Sequence, residues 1–346
     1  MHRISHLADF PKPYAVWFWA MLVHAASSVP FRAGPCRSVP VSAFCDRSVE
    51  RGIKSGRKPD SSLTPRIQQC LPGSMNLLAE FVPPQPPPGL VMNSFWQPFM
   101  TFVQIVPVVA VLWLGLRRWL PQDRALFVVC LLGGAATSLF EPVTDVLAGV
   151  WFAPGGMWVM FTTFNRPMPW FILPCYIWFI GGQVAYVLYR MRRGVTARQL
   201  WILYAAFIGT NIVMEVPAIA AGIYTYYGPQ PFQIAGLPLW FQSINAAVPL
   251  VAAAAVAYLW PRLRGWRRLA VIAVLPSAHA LGNAVAGWPM WSAVHSTDNI
   301  VVIYLVAVVS VALAVGLAAF AISIIVRPAS PVPGVAAEAP RLSVGT

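Results

Sequence analysis

The feature that most constrains this chain is a series of seven apolar segments between residues 94 and 326. Each segment is long enough to cross the ~30 Å hydrocarbon core of a bilayer as an α-helix. The pattern therefore predicts an all-α, polytopic integral membrane protein that folds as a seven-helix transmembrane bundle. The predicted spans are 94–116, 125–148, 169–189, 200–223, 238–260, 269–288 and 299–325.

Arginines between these segments alternate from one side of the predicted membrane to the other. They follow the first, third, fifth and seventh spans: Arg117, Arg118, Arg124, Arg190, Arg192, Arg193, Arg198, Arg262, Arg264, Arg267, Arg268 and Arg327. The opposite loops hold only Arg166. Because basic loops stay in the cytoplasm, we expect the amino-terminal end of the membrane domain outside and the carboxyl terminus inside.

Composition agrees with a membrane protein, since 58% of the residues are hydrophobic and 10% are charged. The net charge of +13 would suggest nucleic acid in a soluble protein. Here the basic residues flank the spans or lie in the first 70 positions. The predicted partners are therefore the lipids of a plasma membrane, not nucleic acid, and the oligomeric state is left open.

The ends of the chain differ from its centre. Residues 1–74 contain a short apolar run, 14–26, followed by a polar stretch without helix or strand period that we expect to be disordered. Either the native start is Met75, followed by a Pro-rich lead over 75–93, or residues 14–26 form a signal sequence; we favour the first. The tail 327–346 is also predicted to be disordered.

Polar residues inside the spans carry the functional information, because an ionisable group at membrane depth is costly. They recur one helical turn apart, on one helix face, as Glu141 with Asp145, Asn211 with Glu215, and His279 with Asn283. Further polar residues at similar depth are Gln97, Gln104, Gln242, Asn245, His295, Asp298 and Asn299. All fall in the outer half of the predicted domain, which predicts a polar pocket near the extracytoplasmic face; the alternative is that they fasten helices together.

Proline and aromatic residues accompany this polar set. Six spans contain a proline, so we expect distorted helices there: Pro107, Pro142, Pro174, Pro217, Pro249 and Pro276. The outer loops are rich in aromatic residues, which form either an interfacial belt or a lid over a lipophilic substrate. The predicted substrate-binding residues are Asn211, Tyr224, Tyr226, Trp151, Trp240, Asn245, Asn283 and Arg166.

Cysteine spacing predicts neither a disulfide nor a thiolate metal site, since no CxxC pair exists. His279, His295 and Asp298 match no dense ligand motif, so no metal is predicted. A single ExxxD without a second Asp-rich motif argues against a magnesium-dependent prenyltransferase. We therefore predict a site without cofactors.

Residues 94–268 resemble the AveC-like spirocyclase family of actinobacterial membrane proteins. The resemblance lies in Glu141-Pro142, Trp151-Phe152, and Glu215 followed by Gly222-Ile223-Tyr224-Thr225-Tyr226 and Gly228. It implies cofactor-free cyclisation, in which a dihydroxy-ketone polyketide loses water and closes to a spiroketal. Such a reaction needs a general acid, a base and stabilisation of an oxocarbenium-like intermediate.

This chemistry assigns expected roles to the ionisable residues. Glu215 suits the acid, Glu141 and Asp145 the stabilising carboxylates, and His279 or Asp298 the base. The Gly236-Leu237-Pro238-Leu239-Trp240 segment is also similar to membrane carotenoid hydratases, which leaves acid catalysis on an isoprenoid open. A non-enzymatic transporter or sensor of a lipophilic small molecule remains a further alternative, although we find no internal repeat of the transporter kind.

Overall fold

The structure, a computed structural model, describes residues 82–92 and 94–326. These residues contain seven helices that are long and apolar enough to cross a membrane, which confirms the predicted number of spans. The spans, numbered first to seventh below, are Trp96–Trp119, Arg124–Ala148, Ile172–Arg192, Ala197–Ala220, Leu239–Arg262, Gly265–Val294 and Ile300–Ile325. The leader over 1–74 and the tail over 327–346, both predicted to be disordered, lie outside the described residues.

Most predicted boundaries fall within a few residues of the observed ones. The fourth span ends at Ala220 because the chain turns there and enters a strand at Tyr224. The sixth span continues to Val294, beyond the predicted end at residue 288, and contains Pro289. A proline inside a membrane helix loses one hydrogen bond but does not end the helix when neighbouring helices pack around it.

Irregular helical turns interrupt the second and third spans and lie at one end of the first, fifth and sixth. The regular α-helical segments are Trp96–Leu114, Arg124–Thr137, Glu141–Ala148, Ile172–Tyr176, Gln183–Arg192, Ala197–Ala220, Leu239–Leu259, Ala270–Val294 and Ile300–Ile325. A 3-10 turn, Ser138–Phe140, precedes Pro142, and a π-helical segment, Ile177–Gly182, follows Pro174. Proline removes the hydrogen bond to the carbonyl four residues earlier, which is Ser138 for Pro142, and this accounts for the 3-10 turn. A second π-helical segment, Gly115–Trp119, ends the first span, while 3-10 turns Trp260–Arg262 and Gly265–Leu269 flank the loop between the fifth and sixth spans.

The expectation of an all-α chain misses three small two-stranded antiparallel sheets. Their strands are β1 Val150–Phe152, β2 Val159–Thr163, β3 Arg166–Pro169, β4 Tyr224–Tyr226, β5 Gln233–Ile234 and β6 Leu237–Pro238. β1 pairs with β4, β2 with β3, and β5 with β6. The last two pairs are hairpins whose two turn residues, Phe164-Asn165 and Ala235-Gly236, all have positive φ, as two-residue hairpin turns require.

Pairing of β1 with β4 joins the loop after the second span to the loop after the fourth. The backbone N–H of Met92 donates to the carbonyl of Gly155 at 2.7 Å, so the lead before the first span lies at this same end. We call this the sheet end of the domain.

At the opposite end, Asp123 connects three spans. Its carboxylate caps the second span by accepting from Leu126 N–H, forms an ion pair with Arg192 at 2.7 Å, and accepts from the indole of Trp260 at 2.9 Å. We call this the arginine end, because the arginine-rich loops between the first and second, third and fourth, and fifth and sixth spans all lie there.

The second and third spans approach each other closely through two glycines. A Cβ added at Gly134 would lie 2.5 Å from the carbonyl oxygen of Tyr176, and one added at Gly181 would lie 2.6 Å from that of Cys130. Small residues permit such backbone contact between membrane helices. This contact fixes the position of Tyr176 relative to the second span.

We expect Gly134→Ala to destabilise the domain by roughly 1–3 kcal/mol, because the added methyl group meets backbone that cannot move independently. Gly316→Ala is the matched control, since Gly316 is also helical and an added Cβ meets nothing within 4 Å. Thermal unfolding in detergent measures the difference. Equal melting temperatures for the two variants would show that the glycine contact is not needed.

Candidate functional site

A cavity of about 90 Å³ lies beneath the β1–β4 sheet, among the first five spans. One water needs about 10–15 Å³ of such space, so the cavity has room for several waters or a small organic group. Its walls are mostly apolar, and the two ionisable acids that line it are Glu141 and Glu215.

The sheet presents alternate side chains to the cavity. Side chains along a strand point to opposite faces in turn. Val150 pairs with Tyr226 and Phe152 with Tyr224, and all four residues line the cavity. Trp151 is paired with Thr225 between them and does not line it. The sheet therefore closes the cavity with one face only.

Glu215 is bound by two tyrosines of this sheet. The hydroxyls of Tyr224 and Tyr226 both donate to Glu215 Oε2, at 3.0 and 2.8 Å. Gln242 Nε2 lies 3.4 Å from the Tyr226 oxygen and donates to it. The structure thus brings together four residues that the sequence analysis named, Glu215, Tyr224, Tyr226 and Gln242, and their predicted roles remain predictions.

Both tyrosines remain protonated donors. Burial, and then the negative charge of Glu215, raises the pKa of Tyr224 and Tyr226 well above the ordinary phenol value of about 10. Since both protons point to Oε2, the other carboxyl oxygen of Glu215 is the one that can exchange a proton with a ligand.

Glu141 is held by a tyrosine that the sequence analysis missed. The hydroxyl of Tyr176, in the third span, donates to Glu141 Oε2. Thr144 Oγ1 donates to the Glu141 backbone carbonyl at 2.8 Å and lies 3.3 Å from Oε2. Tyr176 lies in an apolar span two residues after Pro174. Its depth, similar to that of Glu141, was a signal that could have added it to the polar set.

Asp145 and Arg166 lie near the cavity but do not line it. Asp145 is 2% exposed, and its Oδ2 has no hydrogen-bond partner among the described residues. The buried Arg166 guanidinium donates to the Val150 carbonyl at 2.7 Å and to the Tyr227 hydroxyl. It also stacks against the rings of Trp151 and Tyr227, at 4.8 and 5.4 Å from the ring centroids. Arg166 therefore supports β1 from the face opposite the cavity.

His279 and Asn283 form a buried pair in the sixth span, outside the cavity wall. The imidazole packs edge-on against the rings of Phe140 and Tyr176, with centroids 5.9 and 5.7 Å away. Asn283 Nδ2 lies 3.4 Å from His279 Nε2, and Nδ1 has no partner within residues 82–92 and 94–326. His279 thus contacts the tyrosine that binds Glu141 but not the cavity itself.

Two asparagines line the cavity with unused hydrogen-bonding groups. Asn211 is buried, and neither its amide nitrogen nor its amide oxygen has a partner in the described part of the chain. Asn245 Oδ1 is also without one. Buried polar groups are normally paired with protein, water or ligand. These amides therefore offer contacts to whatever occupies the cavity.

The remaining predicted residues lie elsewhere. Trp240 is fully buried outside the cavity wall, and its indole donates to Gln230 Oε1 at 3.1 Å. Asp298 is exposed in the turn before the seventh span, which Asn299 caps. His295 Nε2 lies 3.2 Å from the Leu147 carbonyl oxygen. Among the described residues, no group of three or more His, Cys, Asp and Glu side chains is placed to hold a metal ion.

Comparison with family models, curated proteins and solved structures finds no match to this chain.

We expect Arg166→Gln to destabilise the domain by about 2 kcal/mol, because Val150 and Tyr227 lose charge-assisted hydrogen bonds and Trp151 loses its stacked partner. Arg264→Gln removes the same charge at an exposed position and serves as the control. Thermal unfolding of both variants in detergent decides the matter. A loss for Arg166→Gln no greater than that for Arg264→Gln would argue against a supporting role.

Proposed function

We propose that the cavity is the active site of a cofactor-independent membrane enzyme. Its reaction is acid/base cyclisation, with loss of water, of a lipophilic polyketide or isoprenoid. The observation that carries the proposal is the pair of tyrosine-bound glutamates in one apolar cavity. A general acid and a general base on opposite sides of one substrate are what dehydrative ring closure needs.

In the proposed reaction Glu215 is the acid. It protonates the departing hydroxyl of a hemiketal, the carbon–oxygen bond breaks, and water leaves with the bonding electrons. The resulting oxocarbenium ion lies between two carboxylates, which stabilise its positive charge. Asn211 and Asn245 orient the substrate through their unused amide groups.

Glu141 is the proposed base, in place of His279 or Asp298, because Glu141 lines the cavity and those two residues do not. A second substrate hydroxyl attacks the oxocarbenium carbon, forms the new carbon–oxygen bond, and gives its proton to Glu141. One proton is donated and one accepted in each cycle, so a proton must return from Glu141 to Glu215, by way of water, before the next turnover. Tyr176, Tyr224 and Tyr226 are positioning residues, since they hold the two carboxyls and keep their own protons.

The size of the cavity supports a substrate that is only partly enclosed. Pockets that take a whole drug-sized ligand occupy about 300–1,000 Å³. The present cavity, at about 90 Å³, accommodates a reacting centre. The rest of a lipophilic molecule would extend between the helices toward the bilayer. The resemblance to AveC-like spirocyclases is consistent with such a substrate. Membership of that family is part of what we propose.

We also propose that the sheet end faces outside and the arginine end faces the cytoplasm of a plasma membrane. The support is the concentration of arginines at the end that contains the Asp123–Arg192 ion pair. Basic residues close to span ends favour the cytoplasmic side. The cavity would then open near the extracytoplasmic face.

Cysteine labelling in intact cells tests the orientation. In a parent with Cys36, Cys45 and Cys70 replaced by serine, Ser296→Cys places a thiol at the sheet end and Ala197→Cys at the arginine end; both positions are exposed. We expect a membrane-impermeant maleimide to label Ser296→Cys before permeabilisation and Ala197→Cys only after it, relative to the unmodified parent. The reverse order would overturn the proposed orientation.

Metabolite profiling tests the activity. A strain lacking the gene is compared with strains that express wild type, Glu215→Gln or Glu141→Gln at equal membrane levels. We expect a lipophilic hydroxylated precursor to accumulate in the deletion and in both glutamine variants, since loss of a general acid or base slows catalysis about 10²–10⁴-fold. Full turnover by both variants would refute the mechanism.

Tyrosine variants provide a graded test with a matched control. Tyr226→Phe removes one donor to Glu215, and we expect an activity loss of about tenfold or more. Tyr186→Phe removes a hydroxyl whose partner is Arg190, at the arginine end, and should leave activity unchanged. Equal activity of the two variants would argue against a positioning role for Tyr226.

A further inference from the structure

Five aromatic rings form a continuous band along the cavity wall. In order of contact they are Phe171, Phe152, Tyr224, Tyr226 and Phe241, with neighbouring centroids 5.9, 5.2, 6.2 and 6.1 Å apart. All five line the cavity. Successive ring planes are inclined by 49–70°, so the band presents both faces and edges. Aromatic faces carry partial negative charge and attract cations.

The charged residues that line the cavity also favour a cation. Glu141 and Glu215 line the cavity, whereas none of the described residues that line it is an arginine, lysine or histidine. Arg166, the basic residue nearest in sequence to β1 and β2, contacts Trp151, on the side of β1 away from the cavity. A cation that enters the cavity therefore meets two acids and the aromatic band, with no positive side chain in the part of the wall that the structure describes.

Unused hydrogen-bond acceptors specify the kind of cation. The side-chain oxygens of Asn211 and Asn245 accept no hydrogen bond from the described residues, and both side chains are more than nine-tenths buried. The hydroxyl protons of Tyr224 and Tyr226 are already directed to Glu215. A ligand that carries several N–H donors would satisfy these oxygens, whereas a quaternary ammonium group has no proton to give.

We infer that the cavity binds the protonated amino group of a lipophilic amine, with its hydrocarbon part against the aromatic band. This inference rests on the proposed function in locating the ligand, because the same walls would stabilise the positively charged intermediate of cyclisation. It goes further because it assigns the cavity a ligand that is stable, a lipophilic amine, and not only a transient reaction intermediate. Lipophilic amines would thus be substrates or competitive inhibitors.

Cyclohexylamine and cyclohexanol are suitable probes, because they share a ring and differ in the charged group. At pH 7 a primary alkylamine keeps its proton, as lysine does. We expect the purified full-length protein to bind cyclohexylamine at least about tenfold more tightly than cyclohexanol, as measured by ligand-detected NMR titration in detergent. The comparison uses unmodified protein, so it does not depend on the folding of a variant.

Variants locate the binding. In the double variant Glu141→Gln, Glu215→Gln, we expect the affinity ratio of amine to alcohol to fall to about 1, since the amides carry no charge. Asp123→Asn removes an acid at the arginine end and should keep the preference. Equal affinity of wild type for the two probes, or a preference that persists in the double variant, would overturn the inference.

The two proposals fail separately. A protein that prefers cyclohexylamine but converts no precursor would refute the cyclase and leave the amine site standing. A protein that cyclises its precursor without any preference for the amine would refute the amine site and leave the cyclase standing.

Discussion

Hydrogen bonds between glutamates in the spans and tyrosines of neighbouring elements hold the sheet end of the domain together. Tyr176 joins the third span to Glu141 in the second, and the tyrosines of β4 join the sheet to Glu215 in the fourth. A carboxyl group at membrane depth without such partners would cost several kcal/mol. The bonds that shape the cavity are therefore also bonds that the fold requires.

The two ends of the domain are stabilised by different means. At the arginine end, Asp123 meets Arg192 and Trp260 beside solvent-exposed basic loops. At the sheet end, Arg166 is buried against two aromatic rings and a backbone carbonyl. Exposed arginines at the first end favour one side of a membrane, whereas the buried arginine at the second end supports strand β1.

Both proposals depend on one property of the cavity, which is that its wall is rich in groups that stabilise positive charge. A transient oxocarbenium ion and a stable ammonium ion make the same demands on carboxylates and aromatic faces. Asn211 and Asn245 add side-chain oxygens that accept no hydrogen bond from the described residues and that line the same cavity. Asp145 and His279, by contrast, do not line the cavity, and His279 packs against the ring of Tyr176.

The apolar pattern of the sequence predicts the number of spans and most of their boundaries to within a few residues, because bilayer thickness sets the length and composition of each span. Which polar groups meet depends instead on how the helices and loops pack in three dimensions. Tyr176 became the partner of Glu141 because two glycines let the second and third spans touch. Trp240 lies away from the cavity because position along a helix does not fix which face packs toward a neighbour, and Asp298 because it falls in the exposed turn before the seventh span. The strands escaped prediction because two to five residues are too few to show a period, and pairing between distant loops, not local pattern, made β1 and β4 a sheet.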